Sequence, residues 1–193
     1  MLKTYQDYKE WRKYEVPKKS IKSLFFPEPS ALYLKWLRRV EWTYNSSGIL
    51  KPLFLYCYWR YRKVSLATEI SIPKNVCDKG LFIPHFGSIV INATCKIGRN
   101  CMIQNNVNIG ANGGGKKSPQ IGNNVYIGPG AVIFGDIKIA DGCYIGANAV
   151  VNKSFLEPNS VIVGIPAKVV KIDPVHWWTK NGLKLDEEDT FGK

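Results

Sequence analysis

Three features of the chain predict a mainly β fold: a parallel β-helix of stacked three-strand coils, preceded by a short α-helical region. Isoleucine or valine recurs every sixth residue at Ile91, Ile97, Ile103, Ile109, Ile121, Ile127, Ile133, Ile139, Ile145 and Val151, with one slot skipped at residue 115. Glycine follows the anchor at Gly98, Gly110, Gly122, Gly128 and Gly146, beside Asn or Pro in several units. Before about residue 70 the hydrophobic period is that of a helix. These changes divide the chain into a basic, aromatic helical region over 1–70, a β-helix domain over 71–171 and a tail over 172–193.

Residues 1–70 carry 14 Lys and Arg against 6 Asp and Glu, together with most of the Trp and Tyr. From Ala31 to Tyr44, the residues Leu32, Trp36, Val40 and Tyr44 are four apart and share one helix face, with Ser30 after Pro29 as the N-cap. Asn45-Ser46-Ser47-Gly48 ends that pattern. A second helix is predicted from Pro52 to Lys63, aromatic on most sides and basic at its C-terminal end. The plainest arrangement packs the helices on each other and on the next domain, leaving the basic residues solvated. The same aromatic and basic surface also suits an anionic membrane face or a partner.

The repeat has a physical basis. Side chains of a strand alternate between faces, so an apolar residue every sixth position always points to the same side. Glycine and asparagine suit the tight turns between strands. Three strands close one triangular coil, and residues of equal phase stack in successive coils. A second inward position lies four residues past each anchor: Cys95, Cys101, Val107, Val125, Ala131, Ile137, Cys143 and Ala149. Three cysteines therefore fill small core slots, which makes them structural rather than nucleophilic. The skipped slot falls in the Gly- and Lys-rich segment 111–119, an excursion from the prism.

Composition excludes several classes. The chain has 193 residues, 45% of them hydrophobic, enough for a buried core. A net charge of +12 and a pI near 9.5 favour anionic partners without choosing among them. No nucleic-acid-binding motif appears and the basic residues are spread out, so no nucleic-acid partner is expected. No apolar run approaches the ~20 residues that span a bilayer. Met1 is followed by mixed charges, so no secretory leader is expected. The five cysteines lack CxxC spacing and read as reduced thiols of a cytoplasmic protein. With His85 and His176 as the only histidines, no metal site is expected.

The hexad pattern resembles that of the hexapeptide-repeat acetyltransferases, whose prism is a left-handed parallel β-helix. IPHFGSIVIN (Ile83–Asn92) resembles the catalytic coil of the serine acetyltransferase branch, and VIVGIPAKVVK (Val161–Lys171) resembles the family's last coil. The helical N-terminus resembles more loosely that of enzymes that O-acetylate capsular or exopolysaccharide sugars. The resemblance implies direct acetyl transfer from acetyl-CoA with His85 as general base, since a neutral imidazole is well matched to proton abstraction near pH 7. The family's orienting Asp falls at Ile70, with Glu69 adjacent as the candidate orienter. His176, beside Trp177-Trp178, reads as a packing or surface residue.

By the same resemblance Gly110, Pro129, Ala147, Asn152 and Lys153 line the pantetheine channel, and Lys168 and Lys171 meet the phosphates of coenzyme A. Phe86, Gly87, Lys117 and Ser118 fall on the acceptor side. The family implies a homotrimer, with loop 111–119 arching over a groove between neighbouring subunits.

Two departures guide the expected acceptor. Pro84 stands where serine acetyltransferases place an Asp before the histidine, and Lys117-Ser118 where they place Arg-His. A neutral sugar hydroxyl on a capsular or exopolysaccharide precursor, in some cases lipid-linked, is therefore the expected acceptor; serine O-acetylation for cysteine synthesis is the alternative. The expected location is the cytoplasm, with the inner membrane face open as a peripheral site.

Overall fold

The computed structural model describes residues 2–15, 27–46 and 50–173. His176 and the rest of the tail from residue 174 lie outside the described residues. Three helices are described, α1 (Tyr5–Glu15), α2 (Pro29–Asn45) and α3 (Lys51–Thr68). Short strands follow: β1 (Ile70–Ser71), β2 (Ile89–Ile91), β3 (Lys96–Ile97), β4 (Met102–Ile103), β5 (Val107–Gly110), β6 (Gln120–Ile121) and β7 (Tyr126–Ile127). The upper coils hold β8 (Val132–Phe134), β9 (Lys138–Ile139), β10 (Tyr144–Ile145) and β11 (Val150–Val151). The last two strands are β12 (Ser160–Gly164) and β13 (Ala167–Ile172).

The strands form three faces of a prism, in the orders β1-β2-β5-β8-β11, β13-β12-β10-β7-β4 and β3-β6-β9. Pairing within the prism is parallel; only β13 turns back antiparallel on β12 and closes the stack. Ile91 pairs with Ile109, and Tyr126 with Tyr144, partners 18 residues apart. Ile109 pairs with Ile133, and Ile97 with Ile121, partners 24 residues apart. Segment 111–119 accounts for the extra six residues and leaves the register of equal-phase side chains intact. All ten hexad anchors are buried, as are the eight second inward positions. The fold is the left-handed β-helix with a helical N-terminus; the repeat implied the stacked coils and the family resemblance their hand.

All five cysteines are free and buried. Burial pushes the Cys101 thiol up to about 12 and raises Cys57, Cys77, Cys95 and Cys143 as well, so little thiolate exists near neutrality. Each thiol acts as a small apolar filler.

The helices differ from the sequence reading in three respects. First, α1 was not anticipated. It starts with a reciprocal cap, in which Asp7 N–H donates to Thr4 Oγ1 at 3.0 Å and Thr4 N–H to Asp7 Oδ2 at 2.8 Å. Second, α2 begins at Pro29, with Glu28 as N-cap and no side-chain capping bond, so Ser30 lies buried inside the helix. Third, α3 runs to Thr68, past the expected end at Lys63, because Val64, Ser65 and Thr68 continue its buried face. Glu69 ends it with φ 59°.

The expectation that the basic residues are solvated fails at Arg38. Its guanidinium donates to Glu15 at 2.7 and 2.9 Å, to Glu41 at 2.7 Å, and to the carbonyls of Cys77 and Asp78 at 2.8 and 2.7 Å. Burial opposes its charge, and the two carboxylates more than offset that penalty, raising its pKa. Glu15 also accepts from Gly80 and Leu81 N–H, and Glu41 from Asn75 N–H. One buried cluster thus ties α1 and α2 to the first coil. On the other side of α2, the Tyr33 and Tyr61 hydroxyls lie 3.1 Å apart and bond the backbone of Ile72.

Candidate active site

The junction between α3 and the prism positions His85. Gly87 N–H donates to the Thr68 carbonyl at 3.0 Å, and Ile89 N–H to the Glu69 carbonyl at 3.1 Å. The turn Pro84-His85-Phe86-Gly87 is therefore sewn to the end of the helix on its C-terminal side. Gly87 has φ +130°, a conformation that disfavours any side chain, and a Cβ built there would lie 3.4 Å from Asn105 Cβ. The backbone can fold tightly here only because no side chain intervenes. His85 and Phe86 project to solvent, Phe86 at 52% exposure.

The His85 ring makes no hydrogen bond among the described residues. Glu69 is exposed and joins the turn through its backbone carbonyl rather than through a bond from its carboxylate to His85. The His85 side chain is exposed, so an incoming hydroxyl can approach it.

The second element is the loop over residues 111–119. Gly115 N–H donates to the Asn112 carbonyl at 2.7 Å and turns the tip. Ser118 is buried with its hydroxyl 2.7 Å from Thr94 Oγ1, so it fastens the base of the loop instead of facing an acceptor. Lys117 is exposed and pairs with Asp136 of the following coil at 2.8 Å. Between the loop and residues 134–137 runs an open groove of about 480 Å³, lined also by Lys116 and Asn152. Its size lies in the range of small-molecule sites.

Of the residues carried over for coenzyme A, Asn152 lines this groove. Gly110 ends β5, its carbonyl accepting from Gly135 N–H, and the Pro129 carbonyl accepts from Asn148 N–H. Ala147 is exposed. Lys153 is exposed and lies 5.6 Å from the Phe155 ring centroid. Lys168 and Lys171 stand exposed on β13, Lys171 paired with Asp173 at 2.7 Å. Asp136 and Lys116 were not singled out from the sequence. Lys116 is legible in the run of glycines and lysines, whereas Asp136 meets the loop only through the stacking of coils.

Within one copy of the chain, His85 is not among the groove residues. A cavity of about 280 Å³ between the helices and the first coil shares no lining residue with either feature. No group of three or more His, Cys, Asp or Glu among the described residues could hold a metal ion.

Comparison with known proteins follows this geometry. Residues 118–153 match the family described as "Bacterial transferase hexapeptide (six repeats)". The chain is 46% identical over 99 residues to serine acetyltransferase of Staphylococcus aureus (strain COL), covering 50% of this chain and 46% of that protein. It thus spans about half the length of the curated relatives it matches. Soybean serine acetyltransferase apoenzyme aligns at 28% identity with a TM-score of 0.64, over 85% of this chain and 66% of that one. Serine acetyltransferase from Vibrio cholerae O1 biovar El Tor N16961 aligns with a TM-score of 0.71 at 23% identity, over 94% and 71% of the two chains, and shares the fold.

These relatives overturn the expectation of a capsular or exopolysaccharide sugar as acceptor. That expectation rested on fixed charges that the substitutions at Pro84 and Lys117-Ser118 remove. On the groove wall Lys117 is ion-paired with the Asp136 carboxylate. The described chain carries the hexapeptide-repeat, left-handed β-helix fold of the bacterial transferases, headed by three helices.

Proposed function

We propose that this chain is an acetyl-CoA-dependent O-acetyltransferase whose acceptor is L-serine. The observation that carries the reading is the 46% identity, over half of the chain, to serine acetyltransferases. The exposed His85 turn and the loop groove supply the chemistry it needs. His85 accepts the proton of the serine hydroxyl as the oxygen attacks the thioester carbonyl. The new C–O bond forms, the tetrahedral intermediate collapses with cleavage of the C–S bond, and the imidazolium returns its proton to the departing sulfur. No acyl-enzyme is needed, in keeping with cysteines that sit in the core.

Glu69, at the end of α3 and tied by its backbone to the His85 turn, is the proposed orienter of the ring. Serine is a zwitterion, and the exposed Lys117–Asp136 ion pair would have to open to take its carboxylate and ammonium. Phe86 and Gly87 flank the acceptor on the histidine side. For the donor, Gly110, Pro129, Ala147, Asn152 and Lys153 are proposed along the pantetheine arm, and Lys168 and Lys171 at the phosphates. The base of one copy and the loop groove of a neighbour meet in a homotrimer. The test incubates purified protein with acetyl-CoA and L-serine and follows O-acetylserine by mass spectrometry. Its enzyme-dependent appearance supports the reading; its absence from a folded trimer overturns it.

A further inference from the structure

Helix α3 has two apolar faces, and the fold uses only one of them. Cys57, Tyr61, Val64 and Thr68 are buried against α2 and the prism. At 3.6 residues per turn, Leu55, Trp59, Arg62 and Leu66 align on the opposite side. Leu55 is 67% exposed, Trp59 50% and Leu66 72%. Tyr56 and Lys63 border this stripe, with the Lys63 ammonium 4.2 Å from the Trp59 ring centroid. Exposed leucines on a helix that already has a buried face are not needed for folding.

We propose that this stripe of α3 docks on an anionic lipid surface. Charge selects the occupant. Lys51, Arg62 and Lys63 lie on or beside the stripe, Arg60 lies over the Trp36 ring of α2, and the helix has no acidic residue, with Glu69 just beyond its C-terminal end. A second copy meeting the same patch across a two-fold axis would bring these cations against each other. An anionic headgroup layer neutralises them, while the leucines and Trp59 enter the boundary between headgroups and acyl chains. Basic side chains on such a stripe lay their stems along the apolar surface and keep their charges at headgroup level. No described helix is long and apolar enough to cross a membrane, so the contact is peripheral. The inference is independent of which acceptor the enzyme uses.

Co-sedimentation of the full chain with vesicles tests it, comparing mixed phosphatidylglycerol–phosphatidylcholine vesicles with pure phosphatidylcholine. The expected result is binding at least about tenfold tighter to the anionic vesicles, weakened by salt. The double variant Leu55→Ser/Leu66→Ser should lose most of that binding while keeping its circular dichroism spectrum and oligomeric mass. Arg62→Glu should lose it as well. Failure of the wild type to bind anionic vesicles, or equal binding by the folded double variant, overturns the proposal. So does a fall in oligomeric mass in the double variant, which would make the stripe an interface between copies.

Discussion

The Arg38 guanidinium and the Glu15 carboxylate meet at 2.7 Å with each side chain only 1% exposed, joining α2 to the end of α1. Glu15 in turn accepts the N–H groups of Gly80 and Leu81, so the pair also fixes the first coil. Removing one partner strands a buried charge, at a cost of about 3–5 kcal/mol. Arg38→Met should lower the free energy of unfolding by about that much in chemical denaturation at fixed protein concentration, whereas Lys138→Met, at an exposed position of β9, changes it by less than about 1 kcal/mol. Equal effects would show that the cluster contributes no more than a surface charge.

Glu41 gives the same cluster a pH signature. Burial raises its pKa above the ordinary 4.5, and Arg38 only partly opposes this. The folded state therefore holds the Glu41 proton more tightly than the unfolded chain does. Its contribution to stability is full below 4.5 and is lost as pH rises through the folded value. The difference in unfolding free energy between wild type and Glu41→Gln should thus shift against the wild type as pH climbs from 4.5 toward neutrality. A constant difference across that range would contradict the raised pKa.

Gly128 tests the tightness of the coil stack. A Cβ built there would lie 2.7 Å from the Ala147 backbone nitrogen and 2.9 Å from the Gly146 carbonyl carbon. Only backbone movement could relieve this, so Gly128→Ala should cost on the order of 2–3 kcal/mol. Gly114, which a Cβ would leave in open space, has φ +88°, and Gly114→Ala should show only the milder backbone cost, about 1 kcal/mol, in the same assay.

The cysteines offer a chemical check. Because all five are buried, iodoacetamide at pH 8 should leave the native chain unlabelled and modify all five after unfolding. Cys101→Ala should retain acetyl transfer. Rapid native labelling at Cys101, or loss of transfer with the fold intact, would reopen a thiol mechanism.

The contrast among these residues shows what a sequence makes legible. The prism was readable because each anchor repeats at a fixed interval and stacks on its own kind, so local order implies the long-range contact; all ten anchors are buried. Helix α1 escaped notice because its segment is polar, although Thr4-x-x-Asp7 is a capping signal. Arg38 fell among the basic residues expected to be solvated; its buried partners are Glu41, three residues on, and the distant Glu15, which no local pattern announces. Ser118 meets Thr94, 24 residues earlier, and Lys117 meets Asp136, 19 residues later. Contacts set by coil stacking carry no local periodicity of their own.

The proposed contacts to the phosphates of coenzyme A fall on two exposed lysines. Lys168→Ala and Lys171→Ala should raise the KM for acetyl-CoA more than they lower kcat, since contacts to the phosphates are the same in ground and transition states. Lys171 already pairs with Asp173, so its effect should be the smaller of the two. An unchanged KM in both variants would make them surface residues only.

The most direct test measures free-thiol release from acetyl-CoA as L-serine is titrated into wild type and His85→Ala. The account predicts saturable, serine-dependent release by the wild type, and a fall of ~10²–10⁴ in the variant, the usual contribution of a positioned general base. The variant should keep its circular dichroism spectrum and oligomeric mass, because His85 projects to solvent. Thiol release that does not respond to serine, or a His85→Ala protein that turns serine over at the wild-type rate, would contradict it.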